Sequence, residues 1–293
     1  MTDSKAWFES NETTQTKTIK DKEEKINPFS ESEIEKWLFG NESYDKKLTC
    51  MIYGSDGTGK SGLAISHIAS KLRGTDNKAI IVDLDGGCEP LVLQYHHDLV
   101  KQLIIKNPLS IELTEDGVEI SYQTIVQKIR GVLNYVRNNY KKQKIEFFVF
   151  DGLSTLLRHA ERQMRLEKHL DADGGVSTRY WLVRNKIFEE TLELAKAIGT
   201  NVIFIAHEDF IPKTEEEKKK GIDLASIKQK TNALVHQKIR TERIDKKDEV
   251  IFKATIDKSK YNIIKEGQVI EFGKVNKVAK KYEWNINEVF LDL

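Results

Sequence analysis

LTCMIYGSDGTGKSGLAISHIASKL, residues 48–72, joins three kinds of sequence without a break. LTCMIY (48–53) reads as a buried strand. Gly54-Ser55-Asp56-Gly57-Thr58-Gly59-Lys60-Ser61 then fits the pattern G-x-x-x-x-G-K-[ST] in full. SGLAISHIASKL (61–72) reads as a helix, with Leu63, Ile65, Ile68, Ala69 and Leu72 giving it a broad apolar side. The glycines let backbone amides curl around an anion, and the helix start adds unpaired donors and a favourable dipole. The segment Gly54 to Gly62 is therefore the expected phosphate cradle. Lys60 is expected to reach the β- and γ-phosphates of a nucleotide, and the Ser61 hydroxyl to ligate Mg2+. A glycine turn that binds nothing is the plain alternative, and the strand before it and helix after it weigh against that.

Such a loop needs an acidic partner at the end of a neighbouring strand. IEFFVFDG (145–152) is a nearly continuous apolar run closed by Asp151, which suits a parallel strand buried on both faces. Asp151 is thus the expected holder of the Mg2+ hydration shell opposite Ser61. Hydrolysis by in-line attack of water also needs an acid to position that water. Asp83, Asp85 and Glu89, around the end of the strand KAIIVDLD (78–85), are the candidates, and the residues alone leave the choice open.

Further strands and helices alternate along the chain. YQTIVQKIRGVLNYVRNNY (122–140) carries Ile125, Ile129, Leu133 and Val136 in helical register. YWLVRNKIFEETLELAKAIGT (180–200) is another helix, and NVIFIAHED (201–209) an apolar strand with polar residues at its end. LVKQLIIKNPLSIELT holds one or two short strands, and VIFKATIDKSKY (250–261) and QVIEFGKV (268–275) are read as short late strands. Buried strands that each end in polar residues describe an α/β fold with a mostly parallel sheet flanked by helices. The late strands are expected to extend it.

Residues 1–26 are polar and poor in aliphatic side chains, which suits a flexible tail; only Trp7–Phe8 is suited to anchor it. A short helix capped by Ser30 or Ser32 is expected to follow, with Ile34, Trp37 and Leu38 on one face. The 293 residues carry a formal net charge of only +1, so nucleic acid could be held only by local patches. The two cysteines, Cys50 and Cys88, are expected to be reduced core thiols. No stretch approaches about 18 apolar residues, and the N-terminus resembles no secretory or transit signal, so no membrane association and a cytoplasmic location are expected.

The order of glycine loop, VDLDGG, FFVFDG and VIFIAHE resembles the RecA-like P-loop ATPase family across roughly residues 45–265, and most of all its small phage and archaeal single-strand annealing or recombination ATPases. The resemblance implies a Mg2+-dependent ATPase domain over 27–265 and a C-terminal extension, 266–293, packed on the core; for a viral protein the location would be the host cytoplasm. In Val82-Asp83-Leu84-Asp85 it gives Asp85 the water-activating role, in place of the family's usual glutamate, with Glu89 as substitute. His207 stands where the family keeps its γ-phosphate sensor, usually glutamine. Residues 158–179, with Arg158, Arg162, Arg165 and Arg179, and residues 212–230, with Lys218, Lys219, Lys220 and Lys228, stand where relatives place DNA-binding loops. Lys258 and Lys260 match basic residues that enter a neighbouring subunit's site, in a ring or a filament. The implied activity is oligomeric ATP hydrolysis on single-stranded DNA in recombination or annealing. A helicase-like or packaging-associated ring motor is one alternative. A KaiC-like module that switches a protein partner with ATP, without nucleic acid, is the other.

Overall fold

The computed structural model describes residues 30, 32, 35, 47–109, 111–114, 117–171, 174–208, 234–260, 262–279, 281–286 and 289–290. Expectations placed on Trp7–Phe8, Trp37, Lys218, Lys219, Lys220 and Lys228 lie outside these residues. The chain divides into two compact units, Met1–Asp45 and Lys46–Leu293. In the first, Ser32 and Glu35 are helical and the Ser30 and Ser32 hydroxyls lie 3.0 Å apart.

The second unit is built on a nine-stranded sheet in the order β11-β10-β9-β8-β1-β7-β6-β2-β3. Its parallel part comprises β1 (Thr49–Gly54), β2 (Lys78–Asp83), β3 (Leu103–Lys106), β6 (Ile145–Asp151), β7 (Asn201–His207) and β8 (Gln237–Asp245). β9 (Glu249–Ser259), β10 (Val269–Asn276) and β11 (Lys281–Trp284) continue it antiparallel. A separate hairpin pairs β4 (Ile111–Thr114) with β5 (Gly117–Ile120).

Strand alternation divides the core between the two faces. Cys50 and Ile52 of β1 join Ile81, Val149 and Ile205 on one face. There they meet α1 (Lys60–Leu72) through Leu63, Ile65 and Ile68, and α2 (Cys88–Tyr95) through Cys88 and Val92. Met51 and Tyr53 face the other way, with Val82, Phe150 and Phe204. That face is covered by α3 (Tyr122–Gln143), α4 (Leu153–Glu167) and α5 (Thr178–Lys196), through residues such as Ile129, Leu156 and Phe188. Cys50 and Cys88 are buried free thiols.

The α/β architecture and the sheet-extending late strands are as the sequence predicts. Among the elements that go beyond it, three show why. α4 occupies the first half of the segment read as a charged loop, because Leu153, Leu156, Leu157, Ala160 and Met164 recur at helical spacing and are all buried. β8, QKIRTERID, is too charged to read as a strand, yet Gln237, Ile239 and Thr241 are buried between β1 and β9. β11 exists through its pairing with β10, where the indole of Trp284 lies over Gly273.

Candidate functional site

The carboxyl ends of β1, β2, β6 and β7 open at one edge of the sheet, where ligands of open α/β sheets bind. Residues 55–59 connect β1 to α1 there. Gly57 and Gly59 have φ of 70° and 81°, left-handed conformations that glycine adopts without steric cost. A Cβ on Gly54 would stand 2.6 Å from Thr241 Oγ1 and closer still to the Thr241 carbonyl oxygen. Thr58 Oγ1 ties the loop to the Ser55 carbonyl at 2.8 Å and to Thr241 Oγ1 at 2.8 Å. α1 starts with no side-chain cap, so its first amides point into the loop for a ligand to use. Lys60 Nζ donates to the Gly54 and Ser55 carbonyls at 3.0 and 2.7 Å. Burial lowers its pKa, against the pull of Asp56, Asp151 and Asp85.

Asp151, at the end of β6, is buried and accepts the Ser61 hydroxyl at 2.6 Å. Burial raises its pKa and Asp83 and Asp85 add to the rise, while bonds from Cys88 and Ser61 oppose it. A hydroxyl and a carboxylate in contact are the hard oxygen donors that Mg2+ takes, so these residues fit that ion, which when bound neutralises phosphate charge.

The three candidate acids separate by position. Asp83 is buried, and its carboxylate accepts the Gly86 and Cys88 amides at 2.7 and 2.8 Å, so it shapes the turn into α2 instead of meeting water. Glu89 sits exposed in the first turn of α2 and does not line the cleft. Asp85 does line it. Its Oδ1 accepts the Thr155 hydroxyl at 2.6 Å, and its Oδ2 lies 3.0 Å from His207 Nε2. The other ring nitrogen, Nδ1, is 2.6 Å from Asp56 Oδ1 in the phosphate loop. Two carboxylates facing both nitrogens favour the doubly protonated ring. The bond to Asp85 accordingly raises the His207 pKa, against burial and Lys60. Burial acts to raise the Asp85 pKa, and the bonds from His207 and Thr155 outweigh it, leaving the carboxyl below its ordinary range.

From this polar end the cleft, about 520 Å³, runs along α2 to Tyr95, Tyr282 and Trp284. Tyr95 and Tyr282 meet edge to face at 5.5 Å, and Trp284 stacks with Phe252 and Phe272 at 5.9 and 6.0 Å. Phe252 and Phe272 in turn pack on the Gly59 backbone, and Trp284 on Gly62. Sequence reasoning missed this aromatic wall. Its members are spread over α2 (Tyr95), β9 (Phe252), β10 (Phe272) and β11 (Tyr282 and Trp284), and only sheet pairing collects them.

The remaining predicted residues fall elsewhere. Arg165 is buried: Nε meets Glu161 at 3.0 Å, and Nη1 donates to the Asp171 and Gly174 carbonyls at 2.9 Å each. Its guanidinium is thus taken up within the chain, by Glu161 and the Asp171 and Gly174 carbonyls. Arg179 is exposed and lies over the Tyr180 ring at 4.8 Å. Arg158 is exposed on α4, where its charge helps lower the Asp85 pKa, and Arg162 is half-buried one turn further on. Lys258 pairs with Lys238, next to the Gln237–Ser259 pair. Gln237 is level with Cys50, whereas Gly54 is level with Thr241, four residues or about 13 Å along the strands. Lys258 and Lys260 therefore lie at the opposite end of the sheet from their own phosphate loop.

A parallel sheet, a glycine loop entering a helix, and a serine–aspartate pair across it define a P-loop nucleotide hydrolase. Residues 46–278 match the family described as AAA domain, and the chain belongs to that family. It is an ATP hydrolase. A KaiC-like protein from the hyperthermophilic archaeon Pyrococcus horikoshii resembles it at 14% identity and a TM-score of 0.47, over 77% of this chain and 85% of that one. Among curated proteins none matches. Among the described residues no helix is long and apolar enough to cross a membrane.

Proposed function

We propose that the chain is an ATP-driven switch: it hydrolyses Mg2+-ATP and changes a protein interface, with copies of itself as the first partner. The observation that carries this is the bridge Asp56–His207–Asp85–Thr155, which joins the phosphate loop, β7, the end of β2 and α4. In this reading Gly54 to Gly62 hold the phosphates, Lys60 neutralises the transferred charge, and Ser61 with Asp151 takes Mg2+. Asp85 orients the attacking water, and His207 exchanges its carboxylate partners for the γ-phosphate. Loss of the bridge on one side then loosens α4 on the other. The base rests at the Tyr95–Tyr282 end of the cleft. Lys258 and Lys260, remote from their own loop, act only on the site of another copy.

Arg165 does not support the DNA reading, and a switch needs no nucleic acid. The test is Mg2+-dependent ATP hydrolysis against protein concentration, with and without single-stranded DNA, beside particle size in ATP and in ADP. Lys60→Ala is the blank, expected to lose at least about 100-fold in rate. The switch predicts a specific activity that rises with concentration, size that differs between nucleotides, and indifference to DNA. Stimulation by DNA would instead return the recombination reading.

A further inference from the structure

Asp83, Cys88, Asp151 and Ser61 stand at the ends of β2, α2, β6 and α1, and they form one chain of hydrogen bonds. Asp83 accepts the Cys88 amide at 2.8 Å, which presents the Cys88 side chain to the site. The thiol donates to Asp151 Oδ2 at 2.9 Å, the same oxygen that accepts the Ser61 hydroxyl at 2.6 Å. Cys88, Asp83 and Asp151 are all buried. A cysteine that only fills space needs no acceptor, yet this one meets the carboxylate oxygen that also meets Ser61.

We propose that Cys88 is a positioning residue for Mg2+-dependent nucleotide binding: its S–H holds Asp151 Oδ2 in line with the Ser61 hydroxyl. The inference rests on Ser61 and Asp151 being the Mg2+ pair. Cys88 touches neither nucleotide nor reacting water; it acts through Asp151. Groups that orient a metal's ligands change metal affinity by about 10- to 100-fold when lost, and a weak thiol donor belongs at the lower end.

The full chain is titrated with a fluorescent ATP analogue at a series of Mg2+ concentrations and in EDTA, as wild type, Cys88→Ala and Cys88→Ser. Cys88→Ala is expected to need about tenfold more Mg2+ for half of the tightening. Its affinity in EDTA should equal that of wild type, since the loop amides and Lys60 are untouched. Cys88→Ser, which keeps a donor, should return the Mg2+ requirement towards wild type. If Cys88→Ala fails to fold, Cys88→Val, which fills the space without the donor, takes its place. The proposal is overturned if the donor-free variant follows wild type, or if Cys88→Ser is as impaired as it. A wild type whose binding ignores Mg2+ would sink the Ser61–Asp151 assignment itself, a result distinct from either.

Discussion

Arg165→Ala separates a structural arginine from a nucleic-acid contact. The substitution removes three charge-assisted bonds: one to Glu161, two to the Asp171 and Gly174 carbonyls. The Arg165 side chain is 10% exposed and that of Glu161 19%, so water replaces the lost partners incompletely. Breaking a buried pair costs about 3–5 kcal/mol, and the residual exposure puts this case near 3 kcal/mol. For a unit of this size that corresponds to a fall of roughly 6–12 °C in Tm. Arg165→Lys keeps the charge but not the planar fork, and should recover less than half of the loss. Arg179→Ala, exposed on Tyr180, should stay within about 0.5 kcal/mol of wild type. The assay is urea unfolding with the midpoint compared at constant slope, beside binding to single-stranded DNA. Wild-type stability together with lost DNA binding in Arg165→Ala would refute the reasoning.

Gly54→Ala should lower stability by about 1–3 kcal/mol, because the new methyl meets the Thr241 backbone and can be relieved only by parting β1 from β8; a denaturant midpoint equal to wild type would contradict this close approach. His207 is raised in the folded chain, so its contribution is complete below its ordinary pKa near 6.5 and fades as pH rises through the raised value. Asp85 is depressed, so its share is present above its ordinary pKa and is lost as pH falls through the lowered one. The stability gap between wild type and His207→Ala, followed by urea midpoints across pH, should therefore shrink on going alkaline; a gap that widens there would exclude the bridge.

The phosphate loop was legible in the sequence because its requirements are local. Glycines at 57 and 59 supply left-handed backbone, and the strand before and helix after follow from apolar spacing in one short window. Asp151 was legible for a related reason: a strand buried on both faces is apolar throughout, so its terminal charge stands out. α4 was legible too in its Leu153, Leu156, Leu157, Ala160 and Met164 spacing, but the arginines along it drew attention to charge instead of period.

By itself the sequence determined the fold class and the ends of the strands that carry the polar residues, since those depend on periodicity and local backbone geometry. Only the tertiary structure decided which acids face the cleft. Asp83 and Asp85 are two residues apart, yet one is taken up by the amides of Gly86 and Cys88 while the other meets His207 from a strand 122 positions on. It also decided that Arg165 closes a turn and that Tyr95, Tyr282 and Trp284 share a wall. These are long-range pairings: hydrogen-bond partners and stacked rings are set by sheet order and burial, and neither is written in the spacing of neighbouring residues.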